Sequence, residues 1–384
     1  MAGFQLTDEQ QAYASWARDT AAAKIAPMAG GEPGRVNRPL VRALGDAGLL
    51  RGLFGGEPGE PPRNAAAMKL CLLRESIAQV SGGAETALAL QGLGSYPILQ
   101  SGSPELVQRW IPKVISGEAF AAFALSEPGA GSDAAALALL ADPDGDGWRL
   151  HGEKIWISNA PDADIYTVFA RTTAGAGARG VTAFAVPGDS VGLSGEHLDM
   201  LSPHPIGRLA FDGVPVGPDA VLGDVDAGFA VAMGTLDLFR PSVGAFAVGM
   251  AQAALDATVT HVRERQVYGG PLAAQQAVAH RIADMSTELE AARLLVYAAA
   301  SAYDNGSEPA LQSRRSAMAK LKATEAAQQI VDGCVQLHGA AALRTGHLLE
   351  HLYRDVRALR IYEGASEVQR TIIARSVIGR TTRL

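Results

Sequence analysis

Residues 142–158, DPDGDGWRLHGEKIWIS, decide how this chain is read. Asp144-Gly145-Asp146-Gly147 is hairpin-turn chemistry, and the residues from Trp148 to Ser158 read as a strand. DIYTVFAR (164–171) and GVTAFAVPG (180–188) continue the strand pattern, and VLGDVDAG (221–228) closes it. Outside these limits the texture is helical. On the N-terminal side, Thr7 with Gln10 forms a capping box, and helical patterns run to about residue 120, broken by the loop FGGEPGEPPR (54–63). On the C-terminal side, long segments of 3.6-residue periodicity follow residue 229. Glu308-Pro309 after Ser307 marks one helix start, Gly339 a stop, and Ser366 with Gln369 a second capping box. The order α, then β, then α predicts an α+β multidomain protein. Its parts are a helical domain over 1–120, a β-barrel or sandwich over 121–227 and a helical bundle over 228–384. No alternating βαβ pattern and no G-x-G-x-x-G opens a helix, which argues against a Rossmann fold or a P-loop.

The totals narrow the function classes. In 384 residues, 48% are hydrophobic and 19% charged, as in a soluble globular protein rich in alanine helices. A net charge of −7 offers no basic footprint for nucleic acid and no polybasic membrane anchor. Asp237 and Arg240 interrupt the longest apolar stretch, which predicts a buried bundle helix rather than a membrane span. Cys71 and Cys334 have no metal or redox spacing, and the polar N-terminus is not a leader, so a cytoplasmic location is expected.

Several stretches carry potential chemistry. FALSEPGAGSD (123–133) joins small residues, whose backbone N–H groups a ligand can approach, to the hydroxyls of Ser126 and Ser132; it is also a possible turn between domains. In KIWISN (154–159), Trp156 and Ser158 share a strand face, either to stack on a flat cofactor or simply to pack. His347-x-x-Glu350-His351 has metalloprotease spacing, but no third ligand accompanies it, and a solvated helix is the favoured reading. Asp237 and Arg240 are a structural ion pair or ligand contacts.

Taken together, LSEPGAGSD, GEKIWISNA, GVTAFAVPG, RERQVYGG with QQAVAHRIADM, LYRDVRALRIYEGASEVQR and TIIAR resemble the acyl-CoA dehydrogenase family across nearly the whole chain. The resemblance implies FAD, an acyl-CoA substrate, electron transfer flavoprotein as acceptor, and a homotetramer built from dimers. It implies flavin contacts from Phe123, Leu125, Ser126, Gly131 and Ser132, and from Trp156, Ile157 and Ser158, the last donating to flavin N5. Arg265 and Gln276 match residues reaching FAD from a neighbouring subunit, with Gln336, Gly339 and Ala340 on the adenosine side and Ala365 and Glu367 also at the cofactor. Ser132, Asp237, Arg240 and Gly364 match substrate positions. Glu363 matches the base that removes the α-proton while hydride leaves the β-carbon for flavin N5, giving a trans-2-enoyl thioester. Its own N–H and a flavin hydroxyl would stabilise charge on the thioester oxygen. Some members carry the base just before the position of Arg240; here Phe239 stands there and cannot take a proton.

The chain also departs from the family. GAAA (339–342) replaces G-G-x-G, which raises the question of alanine at a positive φ, and Ala365 stands where threonine is common. Near the end of the acyl pocket, Glu85 is either a recognition group or, in the preferred reading, an exposed helix acid. Dehydrogenation on a carrier protein and flavin monooxygenation on the same fold are the alternatives. Glu363 with an intact SEPGAGSD speaks against the second.

Overall fold

The computed structural model describes residues 5–56 and 60–379. Of the loop at 54–63, residues 57–59 lie outside the described residues.

The helices are α1 (Asp8–Thr20), α2 (Arg38–Asp46), α3 (Ala67–Ala78), α4 (Gly82–Ser101) and α5 (Pro104–Ile115). Strands β1 (Ala121–Ala124), β2 (Leu140–Asp144), β3 (Gly147–Ser158), β4 (Ile165–Arg171), β5 (Val181–Pro187), β6 (Leu193–His197), β7 (Ile206–Val216) and β8 (Val221–Leu222) follow. Then come α6 (Gly228–Glu264), a short hairpin of β9 (Gln266–Val267) and β10 (Gly270–Pro271), α7 (Gln276–Asp304), α8 (Pro309–His338), α9 (Leu348–Leu359) and α10 (Ser366–Ile378). The helix–sheet–helix order is the one the texture predicts.

The chain forms two compact units, one from Lys24–Ala65 and Thr86–Leu236, the other from Met1–Ala23, Ala66–Glu85 and Asp237–Leu384. In the first, the strands run in the order β6-β7-β3-β2-β4-β5-β8, and β1 adds to β4 in parallel. Asp144 pairs with Gly147, so Gly145 and Asp146 make the two-residue turn, with Gly145 at φ 66°. Phe120, Tyr166, Phe169 and Phe184 fill the core. Gln91 on α4 accepts the Ala121 N–H at 2.8 Å, and Thr167 donates to the Gly94 carbonyl at 2.9 Å, fastening helix to sheet.

The second unit is helical, and its alanines and glycines explain how its helices approach so closely. A Cβ on Gly249 of α6 would lie 2.4 Å from the Glu75 carbonyl of α3, and one on Gly244 would lie 2.8 Å from Val296 of α7. α3 is buried along most of its length. Its N-terminus has no side-chain cap of its own, and Asp304 at the end of α7 instead accepts the Ala67 and Met68 N–H groups at 2.6 and 3.0 Å. Among the described residues α6 alone is long and apolar enough to cross a membrane, and 67% of its most apolar window is buried within the protein.

Local signals held at Thr7, whose side chain and backbone exchange hydrogen bonds with Gln10 at 3.2 and 3.0 Å, and at Gly339, which ends α8 at φ 63°. Ala340, Ala341 and Ala342 take ordinary dihedrals in a short 3₁₀ turn, so GAAA needs only one positive φ, and glycine supplies it. The second capping box does not form. Ala365 is the N-cap of α10, Ser366 donates to Glu325 at 2.7 Å, and Gln369 turns back to the carbonyls of Glu363 and Gly364. A carboxylate on α8 is a stronger acceptor for the hydroxyl than any local group, so the tertiary bond wins.

Candidate active site

In the sheet unit, residues 125–133 form a loop held from below. Glu127 is buried, and its carboxylate accepts from Lys154 Nζ at 2.7 Å and from the N–H groups of Ala138 and Leu139 at 2.6 and 2.9 Å. Lys154, fully buried, also donates to the Leu125 carbonyl at 2.9 Å; burial pushes its pKa down to about 8 and the Glu127 charge opposes that. Glu127 and Ala130 exchange backbone hydrogen bonds at 3.1 Å, closing a tight turn over Pro128 and Gly129. Gly131 and Ser132 are exposed, and a Cβ on Gly129 or Gly131 would meet nothing within 4 Å. The loop thus presents open backbone on a rigid base. Sequence reasoning found the loop but missed the Glu127–Lys154 latch, whose only signal is a pair of charges inside apolar runs.

The Ile155 N–H donates to the Ser126 carbonyl at 3.0 Å, tying this loop to β3, which bulges between Ile155 and Ile157. Trp156 takes up the bulge at φ 61° and is 52% exposed, while Ile157 beside it is buried. A left-handed conformation at a bulky residue costs about 1–2 kcal/mol and marks a constrained site. Strand alternation alone does not predict this bulge, although Trp156 and Ser158 do both lie on the less buried side. Ser158 Oγ shares a hydrogen bond of 2.7 Å with His204 Nε2, a partner with no warning in the sequence. Burial pushes the His204 pKa down to about 4, so the imidazole is neutral at physiological pH. Phe123 is half-buried with its ring 4.9 Å from Phe169, and Leu125 is buried.

We expect Trp156→Gly to leave apoprotein stability within about 1 kcal/mol of wild type, because relief of the positive φ offsets the lost packing of a half-exposed ring. Thermal unfolding checks this; a loss of several kcal/mol would mean that the indole is a core residue.

In the helical unit, Glu363 stands at φ 50°, followed by Gly364 at φ 93°. Two side chains hold this pair of residues. Lys320 Nζ on α8 donates to the Gly364 carbonyl at 2.7 Å, and Gln369 Nε2 donates to the carbonyls of Gly364 and Glu363 at 3.0 and 3.4 Å. The Glu363 N–H has no partner among the described residues. Its Oε2 is buried without a hydrogen bond. Burial raises the Glu363 pKa above the ordinary carboxylate value, while Arg74, Lys320 and Arg240 pull it down. Burial in turn pushes Lys320 down to about 8, with Glu363 opposing.

Gly364→Ala should be destabilising by at least about 1–2 kcal/mol from φ alone. The added Cβ would also lie 2.2 Å from Gln369 Nε2, displacing the side chain that holds the loop. Urea unfolding measures the loss, and a wild-type midpoint would contradict it.

Arg240, buried on α6, donates to Asp237 at 2.8 Å, and Asp237 is half-buried. The pair is therefore an ion pair whose cation also acts on Glu363. Phe239 between them is fully buried. Glu85 corrects the sequence expectation: it is not an exposed acid but fully buried, in contact with Arg74. Burying a carboxylate is tolerated only beside such a cation. His347 caps α9, its Nδ1 accepting the Leu349 N–H at 3.1 Å, and Glu350 pairs with Arg354 at 2.6 Å. Among the described residues no three His, Cys, Asp or Glu side chains are grouped to hold a metal.

Arg265, Gln276, Gln336, Gly339, Ala340 and Glu367 are all exposed on the single chain, and Ala365 is half-buried. Close by in sequence, Tyr268 and Gly269 form the β9–β10 turn with φ of 50° and 86°, leaving Tyr268 96% exposed.

The sheet unit thus presents an open glycine loop beside an exposed indole, and the helical unit holds a carboxylate with a buried Oε2 on a strained loop. The chain belongs to the acyl-CoA dehydrogenase family, matching its N-terminal domain over residues 7–118, its middle domain over 122–214 and its C-terminal domain over 226–378. It is 34% identical to the cyclohexane-1-carbonyl-CoA dehydrogenase of Geobacter metallireducens, covering 98% of this chain and 99% of that one. It is 36% identical to the mitochondrial short-chain specific acyl-CoA dehydrogenase of Sus scrofa, over 96% and 90% of the two chains. Among solved structures, butyryl-CoA dehydrogenase from Megasphaera elsdenii superimposes with a TM-score of 0.91 at 31% identity, over 98% and 100% of the chains. A glutaryl-CoA dehydrogenase from Mycobacterium smegmatis in complex with FADH2 gives 0.90 at 25%, over 99% and 97%. The cofactor of the family is FAD. The exposed Trp156 and the unobstructed backbone at Gly129 and Gly131 suit a flat, anionic ligand of that kind.

Proposed function

We propose that the protein catalyses α,β-dehydrogenation of an acyl-CoA thioester, with Glu363 as the base that removes the α-proton. The observation that carries this reading is the state of Glu363: left-handed, held by Lys320 and Gln369 through the carbonyls around it, with a buried Oε2 free to accept a proton. The free Glu363 N–H suits the second task, stabilising charge on the thioester oxygen as the α-carbon loses its proton. Arg74, Lys320 and Arg240 keep the carboxyl ionisable despite its burial. Phe239, buried and unionisable, leaves Glu363 without a rival at the other position the family uses.

FAD, when bound, supplies the acceptor for the hydride leaving the β-carbon. Residues 126–132 and Trp156–Ser158 would hold it from this chain. Exposed Arg265, Gln276, Gln336, Gly339 and Ala340 support an assembly in which a neighbouring subunit completes the site. Electron transfer flavoprotein is the proposed electron acceptor. Anaerobic bleaching of the purified yellow protein by a panel of acyl-CoAs, with mass detection of the enoyl product, tests the reading. Bleaching by acyl-carrier thioesters alone would transfer the reaction to a carrier-bound substrate, and no bleaching by either would end it.

A further inference from the structure

Three histidines meet in the helical unit and take no part in the site described above. His261, near the C-terminal end of α6, stacks on His338, the last residue of α8, with ring centroids 4.0 Å apart and planes 17° apart. His347, the N-cap of α9, lies edge-on to the same His338 ring at 5.5 Å. All three are half-buried, and His338 Nε2 is buried without a hydrogen-bond partner. Among the described residues no carboxylate pairs with any of them. The charged groups around the trio are engaged elsewhere or face water. On α7, Arg281 reaches α8 beside Gly333 and Cys334, about one turn before His338. On α9, Glu350 takes Arg354 and, at 3.4 Å, the Gly346 N–H, and His351 lies against Arg354. On α10, Ser366 and Arg370 meet α8 at Glu325, several turns away. Arg263 and Glu264 at the end of α6 are exposed, as are Arg265 and Arg344 in the turns that follow α6 and α8.

We propose that His261, His338 and His347 form a proton-operated latch: neutral, they hold the ends of α6 and α8 to the entrance of α9, and protonation releases the turn between α8 and α9. Three effects act in the same direction. His347 Nδ1 accepts the Leu349 N–H at 3.1 Å; an imidazolium has no bare nitrogen, so protonation abolishes this cap. A cation at a helix N-terminus also opposes the helix dipole. A second cation in a stack 4.0 Å apart, with no carboxylate beside it, repels the first. Burial, and then the charges that His261 and His347 carry when protonated, push the His338 pKa down to about 4. That folded value lies below the ordinary imidazole value of about 6.5. The latch is therefore intact above about pH 6.5, and its stability is lost as pH falls from there towards about 4. Gly339 and Ala340 lie in the turn that opens, and α9 leads through Arg360 into the loop of Glu363, so acid acts on the backbone that carries the base. The latch itself does not rest on the reaction assigned to Glu363.

Hydrogen exchange with mass detection on the holoenzyme, compared at about pH 5.5 and about pH 7.5 and corrected for intrinsic rates, reads the opening equilibrium. One proton taken up at an ordinary imidazole multiplies that equilibrium about tenfold across this interval. Peptides over 336–352 should therefore exchange at least about tenfold faster at the lower pH, while peptides of α3 and α7 keep their rates. His347→Asn retains a side-chain cap that does not titrate. Its rate at the higher pH should match wild type, and its rise at the lower pH should be several times smaller. With His261→Gln and His338→Gln added, the rise should disappear. No local rise in wild type, a rise shared by all the helices, or an undiminished rise in His347→Asn would each overturn the latch. Should the triple variant not fold, His347→Asn alone still decides.

Discussion

Glu363→Gln is expected to lower kcat/KM about 10²–10⁴-fold, the usual contribution of a positioned general base. The amide is nearly isosteric, and the hydrogen bonds from Lys320 and Gln369 go to backbone carbonyls, so the loop should keep its shape. Flavin content and substrate binding should therefore survive while anaerobic reduction slows. Rapid flavin reduction by the variant would remove Glu363 from the mechanism. The pH profile gives a second reading of the same residue. Because burial raises the Glu363 pKa, the acid limb of kcat/KM should lie above the ordinary carboxylate range. Lys320→Met removes a cation that opposes this rise, so the limb should move further up, with a greater loss at pH 6 than at pH 8. An acid limb that stays in place would show that Lys320 acts only through the Gly364 carbonyl. Stability follows with a definite sign. A carboxyl whose folded pKa is raised binds its proton more tightly when folded, so stability falls as pH rises from the unfolded pKa through the folded one. Glu363→Gln abolishes that loss and should melt at a higher temperature than wild type at pH 8.

Arg74→Met should destabilise the protein by about 3–5 kcal/mol, the cost of leaving a buried charge without its partner. Glu85 is fully buried, its Oε1 depends on Arg74, and Arg74 is also the leading cation acting on Glu363. Two carboxyls therefore lose their counter-charge at once. The double change Arg74→Met with Glu85→Leu should recover most of the loss, since it removes both charges and fills the volume with apolar groups. Denaturant unfolding of matched holoenzyme preparations measures the cycle. A single variant as stable as wild type would show that water reaches the pair. Against a total stability of about 5–15 kcal/mol, the single change leaves little margin at growth temperature.

Much of the fold was legible because it rests on local rules. The Gly145-Asp146 turn, the strands over 164–171 and 180–188, the Thr7 capping box and the Gly339 stop depend on residues within a few positions of one another. The loop over residues 125–133 and the turn at Glu363 were legible as turns for a related reason: they lie in short stretches whose backbone conformation is written by glycines and small side chains. The Glu127–Lys154 latch was not, because its members are 27 residues apart and meet only when the loop folds against β3. The Trp156 bulge arises from register between β3 and β7, which no single strand contains.

Sequence alone therefore settles the order of helix and sheet, the places where the chain turns, and the loop on which the carboxylate stands. Tertiary structure decides which polar side chains lose water and what they meet when they do. Ser366 leaves its own helix end for Glu325, Ser158 meets His204, and Glu85, an acid that sequence places on a helix surface, is buried against Arg74. The physical reason is that capping and turn preferences act within one or two turns of chain. Desolvation and ion pairing depend on neighbours that only packing brings into range.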